Sequence, residues 1–191
     1  MYFEQVEISV PEGNYRIKGQ FFEESDIEIF TELFVKWIEL SNKLKEFGGR
    51  GINLPEVLSE SLFAYAMGDC IRPASTTTGY NSSFDVYNLK TKKRIQVKAC
   101  SILPDLTSFG PKSIWDEIYF MTFPNTLKDE NEISIYKIPN ELIYEFKINK
   151  NQTMREQQLQ GRRPRFSIMD SIIRVNRIKP IKTIRIYNNG I

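Results

Sequence analysis

Two extended runs in the middle of the chain constrain its fold more than any other feature. Ser83–Tyr87 and Arg94–Cys100 are rich in β-branched and aromatic side chains, which favour strands. The six residues between them suit the connection of a β-hairpin. Runs of the same kind occur before and after this hairpin. The other predicted strands are Val6–Val10, Tyr15–Phe22, Ile114–Phe123, Ile133–Ile138 and Ile181–Tyr187.

Two helices are predicted between the first strands and the hairpin. Ser25 precedes the first helix, and Glu28 completes the pattern of a capping box. Apolar residues then recur at helical spacing as far as Gly48-Gly49, which predicts a stripe packed in the core. Pro55 suits the first turn of a second helix that runs to about Met67. The stripe consists of Ile27, Phe30, Leu33, Phe34, Trp37, Ile38, Leu44 and Phe47. Later segments are a loop at Arg72–Asn81, a short helix or turn at Pro139–Glu141, and an apolar run at Ile168–Val175 that is helical or extended.

The chain contains no histidine. This excludes Ser-His-Asp and Cys-His catalysis, zinc sites built on histidine, and nucleases that use histidine as general base. The two cysteines, Cys70 and Cys100, are too few for a disulfide framework or a zinc cluster. Cys100 ends a strand pattern, where a small buried hydrophobe is expected. Any chemistry must therefore use carboxylates, amides, lysine, arginine or a metal held by oxygen.

The charge is distributed unevenly along the chain. From residue 150 to residue 191 there are ten basic and two acidic residues, so this part carries +8 and residues 1–149 carry −6. A basic segment on an acidic body suggests a polyanionic partner such as nucleic acid. Lysines and arginines that are simply solvated are the alternative. We expect residues 149–191 to contact DNA as part of a single domain that spans residues 1–191.

Three polar side chains of the predicted hairpin can share one face. Gln96 and Lys98 are two residues apart on a strand and point the same way, and Asp85 lies beside them if the hairpin pairs in the simplest register. The preceding helix supplies Glu56 and Glu60, one turn apart on one helical face. A lone aspartate followed by Gln-x-Lys is a weak signal, because alternating charges are common on exposed strands. Such residues can also form a mere surface ion pair.

The same grouping suits the hydrolysis of phosphodiester bonds. Mg²⁺ prefers a few carboxylate oxygens and keeps several waters, and a substrate phosphate completes its coordination. Asp85 and Glu60 would supply carboxylates, and the carbonyl of Val97 would supply another oxygen. Lys98 would orient the attacking water or stabilise the pentavalent phosphate, a role for which partial desolvation suits a lysine. Glu56 is the alternative to Glu60 as the ligand from the helix.

On these residues the chain resembles the PD-(D/E)XK nuclease superfamily. The matching positions are Glu60, Asp85 after Ser-Phe, and Gln96-Val97-Lys98. The resemblance implies an α/β fold with a restriction-endonuclease-like core, in which α-helices flank a mixed β-sheet and the metal site lies where two strands diverge. Phe84 replaces the proline of the pattern, and Gln96 replaces its acidic residue, which removes one negative charge. One-metal and two-metal chemistry therefore both stay open.

A wider resemblance points to small type II restriction endonucleases, in particular to the group that cuts GCNGC. It covers the stretch from Arg50 to Cys100, which includes Arg50–Glu56, Ser59-Glu60 and Leu62-Phe63, and a second stretch at Gln158–Ser167. It implies a sequence-specific, magnesium-dependent double-stranded DNA endonuclease. A palindromic target implies a homodimer, whose interface would be the first long helix or the apolar C-terminal segment.

Several residues are candidates to contact the DNA. Arginine pairs with guanine in the major groove, so Arg162, Arg163 and Arg165 either read bases or only neutralise phosphates. The other candidates are Gln158, Gln160, Arg72 and the loop Thr76–Thr78.

Two other functions are compatible with the sequence. One is a repair or recombination nuclease that recognises DNA structure, and the other is a DNA-binding module without catalysis. No stretch of 18 apolar residues and no signal-peptide pattern occurs, so a cytoplasmic protein without a membrane partner is expected.

Overall fold

A large mixed sheet forms the centre of the protein. The structure, a computed structural model, describes residues 1–74 and 83–187. Eight of the strands described there form the sheet, in the spatial order β1-β2-β3-β4-β5-β7-β8-β12. These strands are β1 (Tyr2–Val10), β2 (Gly13–Phe21), β3 (Cys70–Pro73), β4 (Val86–Asn88), β5 (Lys93–Cys100), β7 (Glu117–Thr122), β8 (Glu130–Ile138) and β12 (Lys182–Tyr187).

Short strands and helices complete the described fold. Two small two-stranded sheets are formed by β6 (Thr107–Ser108) with β11 (Arg165–Phe166), and by β9 (Lys147–Asn149) with β10 (Gln152–Thr153). The helices are α1 (Asp26–Glu46), α2 (Glu56–Met67), α3 (Asn140–Tyr144), α4 (Met154–Leu159) and a π-helix at Met169–Arg174. None of the helices in the described ranges is long and apolar enough to cross a membrane.

Strands β5 and β7 form the parallel pair of the main sheet. Ile95 lies opposite Glu117 and Cys100 opposite Thr122, whereas the remaining neighbours in this sheet run antiparallel. A parallel pair requires a crossover connection, and residues 101–116 provide it. That crossover contains β6 and therefore brings β6 next to the end of β5.

The two faces of the sheet are covered by different hydrophobic cores. Alternate side chains of a strand point to opposite faces, and along β7 Tyr119 and Met121 belong to the core under α1 and α2. Ile118 and Phe120 belong to the other core, which α3, α4 and the π-helix cover. The protein is thus a mixed α/β fold with helices on both faces of its sheet.

The strands of the main sheet follow the sequence-based expectations closely, with one omission, whereas the short strands of the two small sheets were not predicted. The hairpin of β4 and β5, the β1–β2 hairpin, and strands β7, β8 and β12 all occur, although β4 and β7 are shorter than expected. The loop expected to begin at Arg72 was partly wrong, because Cys70–Pro73 pairs with β2 and β4. A four-residue strand that follows a helix has too few residues to show a periodic pattern.

The expected capping box of α1 is wrong. Ser25 lies at the N-terminal end of the helix, but its side chain accepts no capping hydrogen bond. Instead, the buried carboxylate of Asp26 accepts the backbone N–H of Glu23 at 2.8 Å and the chain's terminal amine at 2.6 Å. The N-terminal amine therefore takes part in holding the start of this helix.

Only part of the apolar stripe predicted for α1 is buried in the core, contrary to expectation. Phe30, Phe34, Trp37 and Ile38 are buried, whereas Leu33, Leu44 and Phe47 are exposed. Ile29 and Leu40 are also exposed. Because residues three and four apart share a helix face, these exposed side chains line up along one side. We call this set the α1 stripe: Ile29, Leu33, Leu40, Leu44 and Phe47.

The basic C-terminal segment is an integral part of the fold. It supplies β12 to the main sheet, and Ile168, Met169, Ile172 and Ile173 to the second core. Part of its charge is neutralised within the protein. Arg185 lies 3.1 Å from Glu130 and 3.3 Å from Glu132, and Arg174 pairs with Asp170.

Candidate active site

Strands β4 and β5 separate at Asp85. Val86 lies opposite Ile95, and the N–H of Asp85 donates to the carbonyl of Ile95 at 3.0 Å. Beyond this point, the side-chain carboxylate of Asp85, instead of a backbone carbonyl of β4, accepts hydrogen bonds from β5. Its Oδ2 accepts the N–H of Val97 at 2.8 Å and the side-chain amide of Gln96. The hairpin therefore has the register assumed from the sequence, and Asp85 is held rigidly beside Gln96.

Helix α2 contributes a second carboxylate to the same place. Glu60 accepts a hydrogen bond from Nε of Arg72 at 2.7 Å, and both side chains are largely shielded from solvent. Arg72 lies on β3, next to β4 in the sheet. Glu56, one turn earlier on α2, is exposed. The arginine proposed as a DNA contact is thus an ion-pair partner of Glu60 in this structure.

The predicted catalytic side chains open into one cleft of about 870 Å³. Its walls come from α1, the loop at 49–54, α2, the β4–β5 hairpin and the crossover segment. The polar residues among its lining are Ser41, Asn42, Lys45, Arg50, Asn53, Glu56, Ser59, Glu60, Asp85, Gln96, Lys98, Ser101, Asp105, Thr107, Ser108 and Asn125. Val97 also lines the cleft. Residues far apart in sequence therefore share one opening.

The carboxylates of the cleft are close enough to repel one another. Burial and the charge of Asp85 raise the pKa of Glu60 to about 7, although the Arg72 guanidinium opposes this. Burial likewise raises the pKa of Asp85, against the charge of Lys98. Glu56 adds to both shifts. A divalent cation relieves such repulsion because it favours the charged form of each carboxylate.

Lys98 lies between the carboxylates and the second core. Its Nζ is 5.8 Å from the centre of the Phe109 ring, and Phe109 itself is fully buried. Burial lowers the pKa of Lys98 and the charge of Arg163 lowers it too, whereas Asp85, Glu56 and Glu60 raise it. The ammonium group is therefore surrounded by three acids and approached by one arginine.

The donor set fits a small, hard cation. Within residues 1–74 and 83–187, no group of three or more His, Cys, Asp or Glu residues is arranged to enclose a metal. Mg²⁺ does not require such a cage, since it usually binds one or two carboxylates together with substrate phosphate and water. Asp85 and Glu60 provide that number. In the described part of the chain, Oδ1 of Asp85 has no hydrogen-bond partner and is available to a ligand.

The two cysteines lie outside this chemistry. Burial raises the pKa of Cys70 to about 11 and that of Cys100 to about 12. Both thiols are therefore protonated at neutral pH. Cys100 is half-buried at the end of β5 and packs against the second core.

The candidate DNA contacts divide into buried and exposed residues. Gln158 is buried, and its amide nitrogen donates to the carbonyls of Gly110 at 2.7 Å and Ser113 at 3.3 Å, so it joins α4 to the crossover. Gln160 and Arg162 are exposed and contact Gln152. Arg163 and Arg165 are exposed. The candidate loop Thr76–Thr78 lies outside the described residues.

Asp105 connects the cleft with the basic segment, a role that its sequence context did not indicate. It is 5% exposed. Its carboxylate accepts the hydroxyls of Thr107 and Ser167, both at 2.7 Å, and the backbone N–H groups of Ile168 and Met169 at 2.9 and 3.0 Å. It therefore caps the start of the π-helix from a distant loop. No local pattern marks such a cap, since donor and acceptor are 63 residues apart.

Comparison with known proteins points to one family. A family model described as Bsp6I restriction endonuclease matches residues 22–175. The chain is also similar to the type II restriction enzyme Bsp6I of Bacillus sp. (strain RFL6), with 34% identity over 170 residues, which cover 88% of this chain and 93% of that protein. No solved structure matches the chain.

Proposed function

The chain belongs to the Bsp6I restriction endonuclease family, and from this premise we propose that the cleft around Asp85 is its catalytic site. As a member of that family it is a type II restriction enzyme, a site-specific deoxyribonuclease acting on double-stranded DNA. One observation carries the placement of the site: Glu60, Asp85, Gln96 and Lys98 line the same cleft. Family membership also favours this activity over the structure-specific nuclease and the non-catalytic module.

Magnesium is the proposed cofactor, with Asp85 and Glu60 as its carboxylate ligands. The chemistry that bound magnesium supplies is neutralisation of the phosphate and activation of water. Gln96 and the Val97 N–H hold one oxygen of Asp85, and the other oxygen is the proposed metal ligand. The carbonyl of Val97 is a third proposed ligand. Since Gln96 is neutral, the site has one negative charge fewer than the PD-(D/E)XK pattern, to which we assign it.

Lys98 is the proposed catalytic cation. It is near the three acids of the cleft, and burial makes its ammonium group less strongly hydrated. A charge held in a desolvated site interacts more strongly with a developing negative charge than it would in water. Lys98 therefore stabilises the pentavalent phosphate or orients the attacking water.

We propose that the enzyme acts as a homodimer through the α1 stripe. Of the two segments considered from sequence, the C-terminal one buries most of its apolar residues in the second core and leaves Val175 exposed. The α1 stripe, by contrast, is exposed, and Phe47 is 90% exposed. Trp37 and Ser41, in the C-terminal half of the same helix, line the cleft. A second copy packed here would place two catalytic clefts near one DNA duplex, as cutting both strands requires.

The target GCNGC is proposed from the resemblance of residues 50–63 and 158–167 to enzymes of that specificity. Arg162 and Arg165 are the proposed base-reading or phosphate-binding residues of the segment. The protein acts on DNA in the cytoplasm under this proposal.

Incubation of the purified protein with plasmid DNA and Mg²⁺, followed by sequencing of the fragment ends, tests the function. Wild type should give discrete fragments that share one sequence at their ends. Asp85→Ala and Lys98→Ala should lose cleavage by at least about 10²-fold while still binding DNA. Arg16, exposed on β2 and remote in sequence from every proposed site residue, provides a matched control. Full activity in Asp85→Ala would remove the catalytic site from this cleft.

A further inference from the structure

We propose that Arg163 belongs to the catalytic machinery, where it binds the phosphate that is cut, next to Lys98. This inference rests on the proposed function. It separates Arg163 from the neighbouring arginines, which are candidates for reading bases or for neutralising remote phosphates.

The backbone around Arg163 is attached to the wall of the cleft. Arg165 lies opposite Ser108 in the β6–β11 pair, and the N–H of Phe109 donates to the carbonyl of Pro164 at 3.0 Å. Ser108 lines the cleft with Asp85 and Lys98. Arg163 immediately precedes Pro164, so its backbone is positioned at the edge of the same opening.

Aromatic packing keeps this attachment rigid. The Phe109 ring stacks on Phe166 at 5.2 Å, and Phe166 stacks on Phe146 at 4.2 Å. The same Phe109 ring lies under the Nζ of Lys98. Lys98 and the backbone next to Arg163 are thus anchored to one buried side chain. A rigid connection of this kind maintains the geometry that catalysis requires.

The side chain of Arg162 is engaged outside the cleft. Gly161 adopts a φ of +74°, a conformation that glycine enters readily, and the N–H of Arg162 donates to the carbonyl of Gln157 at 3.0 Å. The guanidinium of Arg162 donates to Oε1 of Gln152 at 3.4 Å. In the ranges that the structure describes, Arg163 has no hydrogen-bond or ion-pair partner. Its charge is nevertheless close enough to lower the pKa of Lys98.

Two neighbouring cations repel each other unless an anion lies between them. Arg163 lies beside a cleft that Lys98 lines. Lys45 and Arg50 line it as well, next to the acids, and such a group of cations favours a phosphate rather than a base edge as the shared ligand. Guanidinium binds phosphate oxygens with two parallel hydrogen bonds. As water adds to phosphorus and the bond to the leaving oxygen breaks, Arg163 would stabilise the extra negative charge. The attacking water releases a proton to solvent, and the leaving oxygen takes up a proton from solvent.

Single-turnover cleavage by saturating enzyme distinguishes this role from base reading. We expect Arg163→Ala to slow cleavage of bound DNA by about 10²-fold, in the range typical for loss of one charge-stabilising donor. Discrimination between the cognate site and sites altered at one base pair should be unchanged. Arg163→Lys should recover part of the rate, because it retains the charge without the paired hydrogen bonds. Arg16→Ala is the control for loss of a positive charge.

Failure of the role proposed for Arg163 can be distinguished from failure of the catalytic site proposed around Asp85. If wild type cleaves and Arg163→Ala cleaves bound DNA at the wild-type rate, or loses discrimination between sites instead, the role of Arg163 is wrong and the proposed function stands. If Asp85→Ala also cleaves normally, or wild type does not cleave, the proposed site itself is wrong and the inference falls with it.

Discussion

At the scale of single residues, the environment decides the role more than the residue type does. Glu56 and Glu60 are identical side chains one helical turn apart, yet Glu56 is exposed while Glu60 is enclosed and paired with Arg72. Burial and the neighbouring carboxylate of Asp85 raise the pKa of Glu60 to about 7. A buried acid beside another acid is costly for stability, which is typical of a functional position. The structure thus favours Glu60 as the ligand from α2.

Replacing each glutamate by glutamine tests this assignment. Glu60→Gln should lower the single-turnover rate by about 10²-fold or more, because the cation loses a charged ligand. Glu56→Gln should cost about 10-fold or less, as expected for a charge outside the ligand set. Rates measured over a range of Mg²⁺ concentrations check both variants. A larger loss in Glu56→Gln than in Glu60→Gln would transfer the ligand role to Glu56.

At the scale of elements, the crossover between β5 and β7 couples the cleft to the basic segment. Asp105 in this crossover receives four hydrogen bonds, three of them from residues 167–169. The backbone donors are the free N–H groups at the start of the π-helix, which any helix must satisfy. One carboxylate therefore connects the basic segment to the crossover that follows β5.

Removing this carboxylate should destabilise the protein. Asp105→Ala leaves buried donors without a partner, and we expect a loss of about 3 kcal/mol in the free energy of unfolding. Urea denaturation followed by circular dichroism provides the measurement. Asp129→Ala, which removes an exposed carboxylate, should change the free energy by less than about 0.5 kcal/mol. Equal stability of the two variants would contradict the capping role of Asp105.

At the scale of the whole molecule, the sheet separates two cores and α1 has two apolar sides. One side of α1 contains Phe30, Phe34 and Ile38 and packs on the sheet, whereas the α1 stripe faces solvent. A row of exposed leucines on a long helix marks an interaction surface. The occupant that we propose for this surface is a second copy of the chain.

Sedimentation velocity on charge-inserting variants tests the dimer. Leu40→Glu places a charge in the proposed interface, and we expect the dimer dissociation constant to rise at least about 100-fold, since burying an unpaired charge is costly. Val175→Glu is the matched control, because Val175 is also apolar and exposed but lies in the C-terminal segment. Dissociation by Val175→Glu alone would select the other interface, and a monomeric wild type would contradict the dimer.

The sequence by itself determined the features that depend on local periodicity. The spacing of Gln96 and Lys98 set their common face, and the short connection to Val86 set the register that brings Asp85 beside them. The apolar recurrence predicted α1, Pro55 predicted the start of α2, and the count of charges identified the basic segment. These patterns arise because backbone geometry repeats every 2 or 3.6 residues.

The tertiary structure alone decided which of these features meet. It placed Arg72 on Glu60, buried Gln158, exposed half of the α1 apolar residues, and joined Asp105 to the π-helix. Each of these contacts joins residues from different elements. The apolar pattern of a helix shows which residues are apolar, but it does not show how many sides of the helix other elements will cover. Long-range contacts depend on how elements pack around a core, and local spacing contains no information about that packing.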